Sequence, residues 1–286
     1  MKLCRFHSAA HPFPRIGLTL DDVTLLDLSG AGVGSLTELL ESPDLVGTLK
    51  RLASGPVRRV PVGEACFVAP TEQQEVWAAG VTYLRSKAAR MEESEFSASA
   101  YDRVYDAARP EIFFKSLGQK AVGSGGPVGI RSDARWNVPE PELALVFNSR
   151  AELVGFTVGN DMSSRDIEGE NLLYLPQAKT YRASCALGPY IRVAADETEA
   201  RTWGIRLEIL RGGAEVFSGT TSVSNIKRSF GELGGWLHRS QEFRQGVVLL
   251  TGTGIVPPNE FTLAAGDVVR ITIDGIGTLE NPVAVV

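Results

Sequence analysis

Cysteine and histidine are both scarce in this chain of 286 residues, with three of each. Cys4, Cys66 and Cys185 are scattered along the chain without the close spacing of a zinc or iron–sulfur centre. We therefore predict reduced core or surface thiols rather than disulfides or metal ligands. Nothing in the cysteine pattern indicates a thiolate-bound metal.

Long apolar runs and basic stretches are also missing. Every apolar stretch is shorter than about ten residues, which is too short to span a bilayer, and the N-terminus lacks the apolar core of a secretory signal. The net charge of −5, the pI near 5.4 and the short Lys/Arg runs argue against a nucleic-acid partner. We therefore expect a cytoplasmic protein with no nucleic-acid or membrane partner.

The remaining composition is that of a globular protein, with 43% hydrophobic and 22% charged residues. Turn residues at Gly55-Pro56 and Ala69-Pro70-Thr71 indicate a boundary near residue 70. We predict a small N-terminal domain (residues 1–70) and a larger domain (residues 71–286). Two strands and then two helices are expected in the first domain, at Arg15–Leu20, Val23–Leu28, Ser35–Leu40 and Leu45–Leu52.

After a segment with a helical pattern from Thr82 to Asp106, the chain becomes rich in strands. Alternating or β-branched patterns predict strands at Ile205–Leu210, Glu215–Thr220, Val247–Thr251, Val268–Ile273 and Val283–Val286, with one helix at Ile226–His238. This is an α+β chain built on mixed or antiparallel strands, and not a doubly wound sheet.

The glycines of residues 29–35 imitate a dinucleotide-binding loop between a strand and a helix. Ser35 occupies the third glycine position, and Pro43 cuts the helix short. No parallel strand–helix–strand unit follows. We therefore expect no dinucleotide site.

Two acidic residues, Glu140 and Glu142, precede the apolar run of residues 143–147. If this segment is a strand, its two-residue period places both carboxylates on one face, where they repel each other unless a cation lies between them. The unbroken apolar run is typical of a buried strand, so the pair would lie where a strand enters the core. A solvated strand edge is the alternative, since Pro139 and Pro141 suit an edge or a bulge.

A third carboxylate comes from the next segment. Residues 153–161 are predicted to form a strand after a turn at 148–152, and an antiparallel pair returns Asp161 to the side of Glu140 and Glu142. Three carboxylates with open positions for water or substrate suit a hard divalent ion. The sequence therefore predicts a Mg²⁺ site, with Mn²⁺ as the alternative.

Several short phrases follow one another in the order typical of one protein family. They are residues 109–115 (RPEIFFK), the Glu140/Glu142 pair, residues 159–168 (GNDMSSRDIE), Lys179 followed by Gly188-Pro189, and residues 251–254 (TGTG). Over roughly residues 75 to 286 the chain resembles the fumarylacetoacetate hydrolase superfamily. Residues 109–115, 166–171 and 174–179 are most similar to a sugar-acid dehydratase branch of it.

The resemblance implies a strand-rich mixed sheet or β-roll in the C-terminal domain, and a homodimer or higher homo-oligomer. It places Arg165, Gly252 and Thr253 at the substrate, and Tyr174 and Gln177 along the pocket of a sugar acid. Taken alone, residues 251–254 are equally a tight turn after a strand. Aromatic packing and surface polarity explain Tyr174 and Gln177 equally well.

The net charge of the proposed metal site indicates which residues must accompany a bound substrate. Three carboxylates and one divalent ion leave one net negative charge, and a chelating 2-oxo acid adds a second. Uncompensated charge in a low-dielectric pocket is costly, so cations must balance it. Lys179 and Arg165, which both match family positions, are the candidates.

A metal acidifies the C3 proton of a chelated 2-oxo acid, which leads to elimination. Loss of that proton and of a C4 hydroxyl needs one base and one acid. We assign Lys179 as the base and Glu111 as the acid. Alternatively, Lys179 is a permanent cation, and Glu111 forms an ion pair with Arg109 or Lys115.

Hydrolases of this superfamily carry a His-x-x-Glu dyad after a tyrosine like Tyr83, where the histidine activates water. Ser86 and Ala89 stand at these positions here. The chain's histidines, His7, His11 and His238, are far from that segment in sequence; His238, near the end of a predicted helix, is expected to be a capping or surface residue.

We therefore expect a metal-dependent dehydratase that converts a 2-keto-3-deoxy pentonate to 2,5-dioxopentanoate. One alternative is a C–C bond hydrolase of an acylpyruvate or diketo sugar acid, which would need another water-activating group. A catalytically silent metal-binding paralogue is the other.

Overall fold

A computed structural model of the protein describes residues 1–9, 11–84 and 103–286. Within these residues the strands are β1 Lys2–Ser8, β2 His11–Thr19, β3 Thr24–Asp27, β4 Arg59–Pro61, β5 Cys66–Val68, β6 Glu75–Gly80, β7 Glu111–Leu117, β8 Val128–Ile130, β9 Asn137–Val138, β10 Pro141–Phe147, β11 Leu153–Asp161, β12 Ser163–Ser164, β13 Cys185–Arg192, β14 Gly204–Arg211, β15 Ala214–Ser222, β16 Val247–Leu250, β17 Val268–Ile273 and β18 Gly277–Val285. The α-helices that lie wholly in the described ranges are α1 Leu36–Leu40, α2 Leu45–Ser54, α3 Arg165–Glu170, α4 Leu175–Lys179, α5 Glu197–Ala200 and α6 Phe230–Leu237.

The strands form one large and two smaller sheets. The 11-stranded sheet has the order β4-β3-β2-β1-β13-β11-β10-β16-β6-β7, and β5 pairs with β1 off this path. A 5-stranded sheet has the order β15-β14-β17-β18-β8, and β12 pairs with β9. The predicted α+β class with mixed sheets is confirmed.

The large sheet is buried on both faces. Along β10, Leu143, Leu145 and Phe147 belong to one hydrophobic cluster, which also holds residues of β14, β17 and α6. Ala144 and Val146 belong to a second cluster with leucines of α1 and α2. A strand covered on both faces needs apolar residues at consecutive positions, which explains the unbroken apolar run in the sequence.

Most predicted elements occur within one or two residues of their expected bounds. The helix expected from Ile226 begins at Phe230 instead, because the Ser229 side chain accepts a hydrogen bond from Glu232 N at 3.1 Å and caps the helix there. The strand expected from Val283 is the end of the longer β18, which pairs with β17 through a turn at residues 274–276. Most of the helical pattern from Thr82 to Asp106 falls outside the described residues.

The first strands do not form a separate sheet. β1 pairs with β13, so one sheet continues across residue 70, and the boundary near residue 70 stays a prediction. β3 is antiparallel to β2 and β4, so the glycines after it do not lie in a parallel dinucleotide-binding unit.

No helix within the described ranges is both long and apolar enough to cross a bilayer.

Five strand ends meet at one edge of the large sheet. β10 starts where the antiparallel strands β11 and β16 end. β6 runs parallel to β16 and ends at the same edge, where its antiparallel partner β7 starts. Topology therefore brings side chains from distant parts of the sequence to one place.

Candidate active site

Three buried carboxylates converge at this edge. Asp161 N donates to Glu140 O over 3.0 Å at the end of the β10–β11 pair, as the hairpin prediction required. Glu140, Glu142 and Asp161 are 3%, 1% and 1% exposed. Each offers an oxygen that lies within 4.8 Å of the others. The structure thus brings together the predicted set, and a solvated strand edge is wrong.

Crowding of these acids has an electrostatic consequence. Burial, followed by the charges of Asp161 and Glu140, raises the pKa of Glu142 well above its ordinary value. The charge of Lys179 partly offsets this, and so does Gly252 N, which donates to Glu142 Oε2 over 2.6 Å. The cluster is therefore short of positive charge at Glu142.

Both predicted cations contact the acids. Arg165, at the start of α3, donates from Nη2 to Glu140 Oε1 over 2.9 Å. Lys179, at the end of α4, places Nζ 2.7 Å from Glu140 Oε2 and 3.2 Å from Asp161 Oδ2, and donates to the Ser163 hydroxyl over 2.5 Å. The two side chains are almost fully buried, so these ion pairs lie in a low-dielectric setting.

A third cation, Lys115, was not predicted as a site residue. Its Nζ lies 2.5 Å from Asp161 Oδ1 and donates to the main-chain carbonyls of Met162 over 2.9 Å and Lys179 over 2.5 Å. Burial lowers the pKa of Lys115, and the Asp161 charge opposes that effect. The two-residue period of a strand could have identified Lys115 from the sequence. Glu111, Phe113 and Lys115 occupy alternate positions along β7 and share one face, so Lys115 faces the same side as the predicted site residue Glu111.

The predicted loop at residues 251–254 takes part in the site. Gly252 has φ +89°, and a Cβ there would lie 2.2 Å from Thr82 Oγ1, so the position requires glycine. Gly252 and Thr253 both line the cleft. The Thr253 hydroxyl donates to Ile255 O over 3.2 Å.

Glu111 begins β7 directly opposite Gly80 at the end of β6. A Cβ on Gly80 would lie 2.0 Å from Glu111 Oε2, so the missing side chain leaves the space that the carboxylate fills. Gly80 lines the cleft, which places the Glu111 carboxylate beside the cleft wall.

Other predicted residues lie elsewhere. Tyr174 and Gln177 are exposed and are not among the described residues that line the cleft, so their contact with substrate stays a prediction. His238 caps the end of α6 with its ring between Phe147 and Phe243, as expected of a capping residue. Ser86 and Ala89 lie outside the described residues.

The cleft is small, and its lining is partly charged and partly apolar. Charged residues form one part of its lining and Ala79, Val81 and Phe113 form an apolar part; the full set is Ala79, Gly80, Val81, Phe113, Glu140, Glu142, Asp161, Arg165, Lys179, Gly252 and Thr253. Clefts with apolar walls and a few convergent polar groups are typical of small-molecule sites.

The donor set fits a hard divalent ion. Three carboxylates offer oxygen atoms within a few ångströms of one another, and neither a cysteine nor a histidine is among them. Burial and the charges of Asp161 and Glu140 raise the pKa of Glu142, and a cation between the three acids would offset that repulsion. Mg²⁺ and Mn²⁺ prefer such ligands.

Fold and site together define the class. Residues 75–284 match the family model described as fumarylacetoacetate (FAA) hydrolase, C-terminal. The chain therefore belongs to the fumarylacetoacetate hydrolase family, as its motifs indicated.

Within the family, the chain is 42% identical over 273 residues to a probable 2-keto-3-deoxyxylonate dehydratase of Haloferax volcanii, covering 93% of this chain and 94% of the relative. It is 35% identical over 271 residues to the 2-dehydro-3-deoxy-D-arabinonate dehydratase of Saccharolobus solfataricus, covering 92% and 90%. A solved structure of 2-keto-3-deoxy-D-arabinonate dehydratase, complexed with magnesium and 2,5-dioxopentanoate, matches with a TM-score of 0.82 and 32% identity over 100% of this chain and 99% of that one. These relatives confirm the dehydratase branch that the sequence indicated.

Lys115→Met should strongly destabilise the protein. The substitution leaves the buried Asp161 carboxylate without its 2.5 Å counter-ion and two carbonyls without a donor. We expect a loss of about 3–5 kcal/mol in the free energy of unfolding, measured by urea denaturation. The exposed Lys120→Met is the matched control, with an expected change within about 0.5 kcal/mol. A loss below about 1 kcal/mol for Lys115→Met would contradict the ion pair.

Proposed function

We propose that this protein is a Mg²⁺-dependent dehydratase that converts 2-keto-3-deoxy-D-arabinonate to 2,5-dioxopentanoate, with Mn²⁺ as an alternative metal. The observation that carries the proposal is the buried set of three acids and three cations at a cleft whose lining is partly apolar, with Lys115 behind Asp161 and the other five residues in the lining. The dehydratase relatives support the substrate class.

Glu140, Glu142 and Asp161 would hold the ion. Bound there, it supplies Lewis acidity that makes the C3 proton of a 2-oxo acid easier to remove. Arg165 lies on the Glu140 side of the cluster, and Gly252 presents its N–H at Glu142. These groups hold the acids in place around the substrate.

Charge count bears on Lys179. The loaded site, with a divalent ion and a monoanionic substrate, has two uncompensated negative charges on its acids and substrate. Arg165 and Lys115 supply two positive charges from within the described residues. These two positive charges balance the two negative charges of the loaded site, so the site is neutral overall when Lys179 is uncharged. An uncharged lysine is the form that can accept a proton. This supports Lys179 as the base at C3, over a role as a permanent cation.

Glu111 is our candidate acid for the C4 hydroxyl. Its carboxylate fills the space beside Gly80 at the cleft wall. Proton loss at C3 and departure of the C4 hydroxyl as water give an unsaturated hydroxy ketone. When a proton moves from C5 to C3, that product becomes an enol. The enol gives the aldehyde once C4 gains a proton and the C5 hydroxyl loses one, and the same acid and base can carry these protons.

The rival activities have less support. Hydrolysis of a C–C bond needs a group that activates water, and none of the chain's histidines is among the described lining residues. A silent metal-binding paralogue has no physical need to keep the candidate acid Glu111 and the candidate base Lys179 together with the three acids. We also propose a cytoplasmic location and a homodimer or higher homo-oligomer.

Turnover of purified protein with 2-keto-3-deoxy-D-arabinonate and Mg²⁺ tests the function, with 2,5-dioxopentanoate measured as aldehyde formed. We expect turnover that disappears with a chelator and returns with added Mg²⁺. A panel of 3-deoxy sugar acids and acylpyruvates run alongside identifies the preferred class. Cleavage of an acylpyruvate without dehydration of any sugar acid would reject the proposal.

Glu142→Gln should abolish stabilisation by the metal. A ligand that binds the folded state at 100 times its Kd adds about 2.7 kcal/mol, and the variant loses a charged oxygen donor. The readout is the change in melting temperature between chelator and saturating Mg²⁺. The exposed Glu242→Gln serves as control and should keep the full shift. An unchanged shift in Glu142→Gln would remove that residue from the metal site.

Glu111→Gln should reduce kcat by about 10²–10⁴-fold if Glu111 is the acid. Gly80→Ala should also reduce kcat, because the new Cβ would lie 2.0 Å from Glu111 Oε2 and displaces an otherwise intact carboxylate. Both variants should retain Mg²⁺-induced stabilisation. Gly63→Ala, where a Cβ meets nothing within 4 Å, is the control. Full activity in Gly80→Ala and Glu111→Gln would exclude the acid role.

A further inference from the structure

Val81 has a backbone conformation that its residue type rarely adopts. Its φ is +53°, in the left-handed region, where a β-branched side chain is strained and glycine or asparagine is not. Strain of this kind persists when neighbouring contacts fix the backbone, and it is concentrated at functional sites.

Neighbours on both sides fix this turn. Gly80, just before Val81, is hydrogen-bonded within β6–β7 opposite Glu111. Thr82, just after it, donates from Oγ1 to Thr251 O over 2.6 Å and accepts from Lys227 N over 3.0 Å. The chain direction is therefore set without the Val81 side chain, and a glycine would meet the backbone requirement more easily.

The Val81 side chain is buried beside the cleft and outside the two hydrophobic clusters. Val81 is 5% exposed, yet it belongs to neither hydrophobic cluster of the described residues. It lines the cleft with Ala79 and Phe113, beside the acids and Lys179. The isopropyl group thus contributes an apolar surface to the cleft.

We propose that Val81 is a specificity-determining residue that recognises the unsubstituted C3 carbon of the 2-oxo acid. The inference rests on the proposed function. C1 and C2 carry the chelating oxygens and C4 carries the leaving hydroxyl, so C3 is the carbon between them without a polar group. An apolar wall there leaves a hydroxyl at C3 without a hydrogen-bond partner, which disfavours 3-hydroxy analogues.

Val81→Thr tests the proposal, because threonine keeps the shape and β-branching of valine and adds a hydroxyl. The probes are pyruvate and hydroxypyruvate, which differ by a hydroxyl at C3, with their Kd measured by calorimetry at saturating Mg²⁺. We expect the wild type to prefer pyruvate, and Val81→Thr to shift the ratio of affinities toward hydroxypyruvate by about tenfold or more. Val216→Thr, on an exposed strand position, should leave the ratio unchanged.

A ratio in Val81→Thr within about twofold of the wild type would overturn the proposal. A shifted ratio in a protein that binds both acids but dehydrates no sugar acid would reject the proposed substrate while the role of Val81 holds. Absence of binding by either acid in the wild type would reject both.

The strain has its own test that does not depend on ligand. At positions with ordinary backbone angles, a protein with alanine is more stable than the same protein with glycine. At φ +53° we expect the reverse, so the melting temperature of Val81→Gly should be higher than that of Val81→Ala. A higher melting temperature for Val81→Ala than for Val81→Gly would show that the backbone at Val81 is not strained, and would contradict the premise of the proposal.

Discussion

The site depends on the neutralisation of three carboxylates buried at the edge of a sheet. An isolated buried charge costs several kcal/mol, so Glu140, Glu142 and Asp161 can remain together only with cations close to the cluster. Lys115, Lys179 and Arg165 contact Glu140 and Asp161 from a strand and two short helices, and Glu142 accepts a hydrogen bond from Gly252 N. Each cation also fixes the position of a carboxylate, so charge balance and geometry have the same origin.

Sheet topology explains why these groups meet. Antiparallel pairing returns the end of β11 to the start of β10, and the parallel pair of β16 and β6 ends at the same edge. The strand ends lie beside glycines whose missing side chains leave room for Glu111 at Gly80 and for Thr82 at Gly252. The missing side chains at these two glycines therefore shape the cleft.

Sequence reasoning identified the acids because their pattern is local. Glu140 and Glu142 share a strand face by the two-residue period, and a short hairpin determines the return of Asp161. The α+β class followed from alternating and β-branched runs for the same reason, since each run reports its own burial. Family motifs, rather than periodicity, identified Lys179, Arg165 and the glycine loop at residues 251–254.

The local sequence pattern by itself determined the strands and placed Glu140 and Glu142 on one strand face. It also predicted that a metal ion lies between their carboxylates. Only the tertiary structure decided that Lys115 lies against Asp161 and that Val81 turns left-handed beside the cleft. It also placed Tyr174 and Gln177 on the surface. The reason is physical: these features arise from contacts between segments far apart in the chain, and the spacing of residues along one segment carries no information about such contacts.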